Sequence, residues 1–173
     1  KNTAMLGVFA CFAMDLNEVY YTTRLNGSST FFNPFNLGEN FGKGNPHNDS
    51  GINVSYMWEK IWTKDEILFL IERFIFIKKK EHKNPDTGKV TKSKELIFPR
   101  FHQLRAVERV MGDVIINHSS CNYLIEHSAG SGKTETVSWL AHILSTVHDV
   151  ENQNIFDTVL VITDRLVVDR QLQ

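Results

Sequence analysis

The sequence predicts an α/β fold whose C-terminal part begins a doubly wound parallel sheet. Three features of that part lead to the prediction: a short apolar segment at residues 122–126, a glycine-rich loop followed by a helical pattern from Lys133, and a β-rich segment at residues 158–163. Strand, loop, helix and parallel strand in this order make one right-handed βαβ unit. We therefore expect both apolar segments to be parallel strands of one sheet.

The N-terminal part is predicted to be mostly β-structure. Residues 8–14 and 19–25 are β-rich runs joined by a short polar link, which predicts a β-hairpin. Asn26 and Gly27 mark a turn, after which residues 30–32 are expected to form a short third strand. Residues 33–51 are dense in Asn, Gly and Pro with apolar residues such as Phe35 interspersed, which predicts a loop packed onto a surface.

Three helices are predicted. The first starts at Thr63, because Glu66 stands three residues later, as in a capping box. Residues 67–76 are apolar around much of its circumference, so we expect it to be well buried, with lysines 78–80 complementing its C-terminus. A second helix follows Pro99. The third, from Lys133, is expected to bury Val137, Leu140, Ala141 and Leu144, and the three tryptophans (Trp58, Trp62 and Trp139) are expected to fill a core.

Residues 78–94 carry a concentrated positive charge. Seven lysines stand against Glu81 and Asp86, which leaves a charge of +5. An Asn-Pro-Asp-Thr-Gly run lies in the middle, so we expect an exposed, mobile loop. Two interpretations stay open, a solvated linker and a contact to phosphates.

The bulk composition is that of a globular protein. Apolar residues make up 42% and charged residues 23%, and the formal net charge of −1 gives no global signature of nucleic-acid binding. The two cysteines lie outside any metal-ligand spacing, and we find no signal peptide and no apolar run long enough to span a bilayer. We expect a cytoplasmic protein without membrane contact, and both ends of the sequence suggest an internal fragment of a longer chain.

The strongest chemical motif is a phosphate-binding P-loop at residues 127–134, His-Ser-Ala-Gly-Ser-Gly-Lys-Thr. Gly130 and Gly132 allow a tight turn that brings backbone N–H groups toward phosphates at a helix N-terminus. Lys133 adds a positive charge for the β- and γ-phosphates, and the Thr134 hydroxyl is a ligand for Mg²⁺. The strict pattern has glycine at the position of His127, so the match is relaxed there.

Two further residues are candidates for binding roles. Gln103 precedes the P-loop by about thirty residues, and its amide can pair with both N6 and N7 of adenine; by itself, a glutamine is more often an ordinary surface residue. Arg165 follows the second predicted strand, at the sheet edge where ligands gather in α/β folds. A contact to a DNA phosphate and a simple surface pair with Asp164 are both open for it.

These motifs together resemble those of superfamily 2 helicases. Residues 98–103 are similar to the adenine-reading Q motif, residues 127–134 to motif I and residues 161–172 to motif Ia. The combination resembles the restriction (R) subunit of type I restriction–modification enzymes, in which the loop begins with histidine. Residues 18–27, 32–36 and 42–46 look like the region that joins nuclease and motor in those subunits.

The resemblance implies an ATP-dependent translocase that pulls double-stranded DNA past itself and cuts it. Methylation and specificity subunits would be its partners, and ATP with Mg²⁺ its cofactors. Gln103 would read adenine with help from Arg100, and Arg165 would lie near the DNA. The phosphates would be held by Ala129, Gly130, Ser131, Gly132 and Lys133, and Mg²⁺ by Thr134, with Lys133 and Thr134 as the catalytic residues.

The implied organisation has three parts. Residues 1–62 would be the C-terminal part of an endonuclease-like domain with its packed loop, residues 63–97 a connecting helix and basic linker, and residues 98–173 the start of a RecA-like motor domain. The nuclease cluster, the acidic motif II and the arginine finger would lie outside this chain, so the fragment alone is expected to be inactive. The alternatives are another superfamily 2 helicase or translocase and a non-catalytic nucleotide-binding module.

Overall fold

A computed structural model describes residues 8–40, 42–83, 88, 90–118 and 121–163. The chain divides into two compact units, Lys1–Phe101 and His102–Gln173. We call them the N-terminal and the C-terminal unit and describe each by itself.

The N-terminal unit contains a small antiparallel sheet in the order β1-β2-β3. Strand β1 is Cys11–Met14, β2 is Val19–Thr22 and β3 is Asn33–Pro34. Asp15 shapes the β1–β2 turn, because its carboxylate accepts the N–H groups of Asn17 and Glu18. The predicted hairpin is confirmed. The third strand lies a few residues later than predicted, because a 3₁₀ turn at Gly27–Ser29 comes before it.

An aromatic cluster forms the core of this unit. Phe35 is completely buried, and its ring contacts those of Phe12, Tyr21, Phe98 and Phe101 at centroid distances between 5.5 and 5.9 Å. Tyr56 donates its hydroxyl to the Phe35 carbonyl at 2.6 Å. Phe35 belongs to the segment 33–51, which the sequence predicts to form a loop packed onto a surface. The burial of Phe35 confirms this packing.

Helix α1, Lys64–Arg73, has its N-cap at Thr63 as predicted. The prediction of a capping box is wrong, because the Thr63 hydroxyl donates to the carbonyl of Lys60 and does not cap the helix. The deep burial is also wrong: Leu70 is the buried residue of α1, while Leu68 is 54% exposed. Trp58 and Trp62, expected in a core, are partly exposed as well.

The basic segment forms a long β-hairpin. Strands β4, Phe76–Lys83, and β5, Val90–Ile97, pair over eight residues each, from Phe76↔Ile97 to Lys83↔Val90. The predicted mobile loop and the role of lysines 78–80 at a helix end are therefore wrong for these residues. Lysine has only a weak preference against strands, and backbone pairing between the two arms overrides it.

The C-terminal unit packs two helices on a small apolar core. Helix α2 is Phe101–Asn117 and α3 is Lys133–Leu144, both near their predicted positions. Val110 and Val114 of α2 pack with Val147, and Leu140 and Leu144 of α3 lie against them. The fully buried residues of α3 are Thr136, Trp139 and Ile143. Trp139 lies in the core as predicted, whereas Val137, predicted on the inner face, is partly exposed.

Neither predicted strand of the C-terminal unit is formed within the described residues. Residues 122–126 and 158–163 have no ladder partner there, and Leu124 and Ile162 are 95% and 85% exposed. An extended segment becomes a strand only when its backbone pairs with a neighbour. The parallel sheet stays a prediction. No helix in the described part of the chain is long and apolar enough to cross a bilayer.

Candidate nucleotide-binding site

The P-loop leads directly into helix α3. Gly130 has φ +71° and Gly132 has φ +85°, a left-handed conformation that glycine adopts without steric cost. Gly132 is the N-cap of α3, and its carbonyl accepts the N–H of Thr136 at 3.2 Å. The N–H groups of the first helical residues have no acceptor within the helix. The loop thus presents the positive end of a helix, which suits an anion.

Lys133 lies at this helix start with its amine turned back onto the loop. Its Nζ donates to the carbonyl of His127 at 2.6 Å and to that of Ser128 at 2.7 Å. These two bonds connect the lysine side chain to the first residues of the loop. The amine and the helix N-terminus therefore lie at the same loop, and their role in phosphate binding stays a prediction.

Gln103, in the first turn of α2, contacts the loop at Gly132. The side chain is 4% exposed, and its Nε2 donates to the Gly132 carbonyl at 2.8 Å. A Cβ on residue 132 would overlap this amide. Glycine is therefore favoured at position 132 by its backbone angle, and a residue with a Cβ would also have to displace the Gln103 amide. Gln103 and the glycine-rich loop are thus in direct contact, and their identity as Q motif and P-loop of one nucleotide site stays a prediction.

His102 is a member of the site that the sequence did not identify. Its Nε2 lies 3.2 Å from the Ser131 carbonyl, and its ring meets that of His127 edge-on at a centroid distance of 4.8 Å. The sequence carried no local signal for this contact, because it joins residues 29 positions apart in the chain.

His127 has an electrostatic environment that favours its neutral form. Partial burial lowers the pKa of His127, and the charge of Lys133 lowers it further. A neutral imidazole adds no second positive charge beside the lysine. At neutral pH the charge of the loop is therefore carried by Lys133.

The remaining P-loop residues complete a donor set of the right chemistry for a polyphosphate. Ser131 is 6% exposed, and its buried hydroxyl has no hydrogen-bond partner among the described residues. Thr134 is half-buried one residue into α3, while Ala129 is exposed. Amine, hydroxyl and helix N–H groups in one loop fit a phosphate chain with its Mg²⁺. Groups of three or more His, Cys, Asp or Glu side chains able to hold a metal are absent from the described part of the chain.

The structure does not test the roles of two predicted site residues, Arg100 and Arg165. Arg100 belongs to the N-terminal unit. Burial raises the pKa of Tyr21 there to about 12, and the charge of Arg100 acts in the opposite direction. Arg165 lies outside the described residues. Their roles toward adenine and DNA stay predictions.

Comparison with known proteins gives one family. Residues 102–173 match the SWI2/SNF2 ATPase family, over less than half of the 173 residues. No curated protein and no solved structure matches the chain. The matched residues include Gln103, the P-loop and α3. Over this region the chain is similar to SWI2/SNF2 ATPases, which supports an ATP-dependent superfamily 2 helicase-like motor that uses nucleotide and Mg²⁺.

Proposed function

We propose that this chain is part of the ATP-dependent restriction subunit of a type I restriction–modification enzyme, which translocates and cuts double-stranded DNA. Residues 98–173 would start its RecA-like motor domain, in which residues 122–126 and 158–163 pair as parallel strands. The observation that carries the proposal is the contact between Gln103 and the Gly132 carbonyl. It joins Gln103, the last residue of the proposed Q motif, to the proposed P-loop, and both lie within the region similar to SWI2/SNF2 ATPases.

The roles of the residues follow from their chemistry. The loop N–H groups and Lys133 would bind the β- and γ-phosphates, and Thr134 would ligate Mg²⁺. Gln103 would read the adenine edge with help from Arg100. Arg165 would contact a DNA phosphate, and methylation and specificity subunits would complete the cytoplasmic complex.

A second candidate is a superfamily 2 translocase that moves along DNA without cutting it. The similarity to SWI2/SNF2 ATPases favours it as much as it favours the restriction subunit, because both share the motor. The two functions differ in one product. ATP-dependent cleavage of circular duplex DNA by the intact protein with its partner subunits supports restriction, whereas ATP hydrolysis without cleavage supports the second candidate.

The motor itself is tested by removing the P-loop amine. Lys133→Ala in the intact protein is expected to lower DNA-stimulated ATP hydrolysis at least roughly 100-fold, because the γ-phosphate loses its cation. Lys64→Ala is a matched control, since Lys64 is also the first residue of a helix and is also exposed. Unchanged turnover in Lys133→Ala would show that this loop does not catalyse hydrolysis.

The adenine-reading role of Gln103 needs a different measurement, because this side chain also supports the loop. Gln103→Ala is expected to lower kcat/KM for ATP more than for GTP, so that the ATP/GTP ratio falls. An equal loss for both nucleotides would assign Gln103 to loop positioning and remove the adenine role.

A further inference from the structure

The β4–β5 hairpin concentrates the positive charge of the chain. Residues 76–97 have a formal charge of +4, whereas the other residues, with twelve basic and seventeen acidic side chains, sum to −5. Each arm has eight residues, which corresponds to a length of roughly 25 Å. The chain is thus strongly polarised although its net charge is −1.

The two faces of the hairpin differ in charge. On one face Lys78 lies opposite Glu95. On the other face Lys79 lies directly opposite Lys94, and Lys92 pairs with Glu81 at 3.0 Å. We call Lys79, Lys92 and Lys94 the basic face. All three side chains are exposed.

The basic face is not explained by the stability of the hairpin. Like charges directly opposite each other on a sheet are destabilising, and an exposed ion pair such as Lys92–Glu81 adds little. Lysine does protect sheet edges from aggregation. Protection of an edge strand needs charged side chains, but these can be of either sign. The excess of positive over negative charge on the basic face therefore needs a second explanation.

We propose that the basic face of the β4–β5 hairpin binds the phosphate backbone of double-stranded DNA without reading its sequence. Charge complementarity is the argument: a duplex carries one negative charge per roughly 1.7 Å of axis, and the three exposed lysines of the basic face offer it a positive surface. The choice of DNA as the polyanion rests on the proposed motor function.

The composition of the hairpin indicates which form of DNA binding to expect. The three residues of the basic face are lysines, whose ammonium is a point charge without the planar fork of arginine, which matches phosphate and base edges in a bidentate way. Lysine side chains also offer no ring on which unpaired bases stack. Contacts to a duplex backbone are what this set of side chains can make.

The test is the salt dependence of duplex binding by the intact protein without ATP, measured by fluorescence anisotropy on a random-sequence duplex. Each lost phosphate contact lowers the slope of log K against log salt by about 0.9. The triple variant Lys79→Gln/Lys92→Gln/Lys94→Gln is therefore expected to lose about 2 to 3 units of slope, and roughly tenfold in affinity at low salt.

Two matched variants make the result specific. Lys43→Gln/Lys60→Gln/Lys64→Gln removes the same charge from exposed sites off the hairpin and is expected to leave the slope unchanged. The variant Lys79→Arg/Lys92→Arg/Lys94→Arg keeps the positive charge at these three positions and is expected to bind duplex DNA as the unmodified protein does. A glutamine variant that binds like the control, or an arginine variant that stays defective, would overturn the proposal.

Other partners and the motor function are separated by the same variants. If the glutamine variant loses affinity for single-stranded DNA or for vesicles of anionic lipid but keeps it for duplex, the proposal is wrong. Because binding is measured without ATP, it is independent of hydrolysis. If the intact protein has no ATPase activity but the glutamine variant loses slope, the hairpin site stands and the proposed motor is refuted. If the intact protein is an active ATPase but the glutamine variant keeps its slope, the motor stands and the hairpin site is refuted.

Discussion

The contact between Gln103 and Gly132 predicts a specific non-additivity of two mutations. Gly132→Ala places a Cβ where the Gln103 amide lies and keeps a φ of +85°. The left-handed angle costs alanine about 1 to 2 kcal/mol, and displacing the amide costs a hydrogen bond of about 1 kcal/mol. The single mutation is therefore expected to lower the free energy of unfolding by about 2 to 3 kcal/mol.

In the background of Gln103→Ala the amide is already absent, so Gly132→Ala costs only the backbone strain. The double mutant should then be more stable than the sum of the single effects predicts, by about 1 kcal/mol. Gly130→Ala is the matched control: its φ is +71°, but a Cβ there has no atom within 4 Å. Its effect should add to that of Gln103→Ala.

The assay is urea unfolding followed by the emission of Trp139, which is 3% exposed in the C-terminal unit. Trp58 and Trp62 are replaced by phenylalanine in all variants, so that emission reports this unit alone. Additivity of Gly132→Ala and Gln103→Ala within about 0.3 to 0.5 kcal/mol would refute the contact.

Three further predictions follow from single side chains. Phe35→Ala is expected to lower the free energy of unfolding by about 3 to 5 kcal/mol in calorimetry or urea titration, whereas Phe31→Ala, at a position 74% exposed, should change it by less than about 0.5 kcal/mol. Ser131→Ala removes a buried hydroxyl without a partner, so stability in the same titration should stay equal or rise by up to about 1 kcal/mol; a clear loss would reveal a bond to this hydroxyl. His127 should titrate by NMR below about pH 6.5, and Lys133→Met should raise its pKa. Because the unfolded state binds the proton more readily, the contribution of His127 to stability is complete above about pH 6.5 and decreases as the pH falls below it. A midpoint of the His127 titration at the ordinary histidine value would contradict the lowered pKa.

Features set by neighbouring residues were predictable from the sequence. The hairpin of β1 and β2, the start of α1 at Thr63 and the course of α2 and α3 all depend on local patterns of turns, caps and apolar spacing. The same holds for the P-loop, since two glycines and a lysine at fixed spacing determine the turn and the helix start.

Features that depend on distant contacts were not predictable. Which side of α3 is buried depends on what packs against it, and its apolar residues allowed both Val137 and Trp139 to face inward. The β4–β5 hairpin has no alternation of apolar and polar residues, because most of its described side chains are exposed on both faces rather than packed on a core. The contact of His102 with the Ser131 carbonyl joins residues 29 positions apart, and no local pattern encodes it.

The two carbonyls bound by Lys133 have a consequence for how tightly a nucleotide binds. The carbonyls of His127 and Ser128 accept two of the three N–H groups of the Lys133 ammonium. The third N–H group stays available for a phosphate, which would not have to displace either carbonyl. A charge held in place in this way loses less side-chain freedom when a ligand arrives than a lysine that extends freely into solvent.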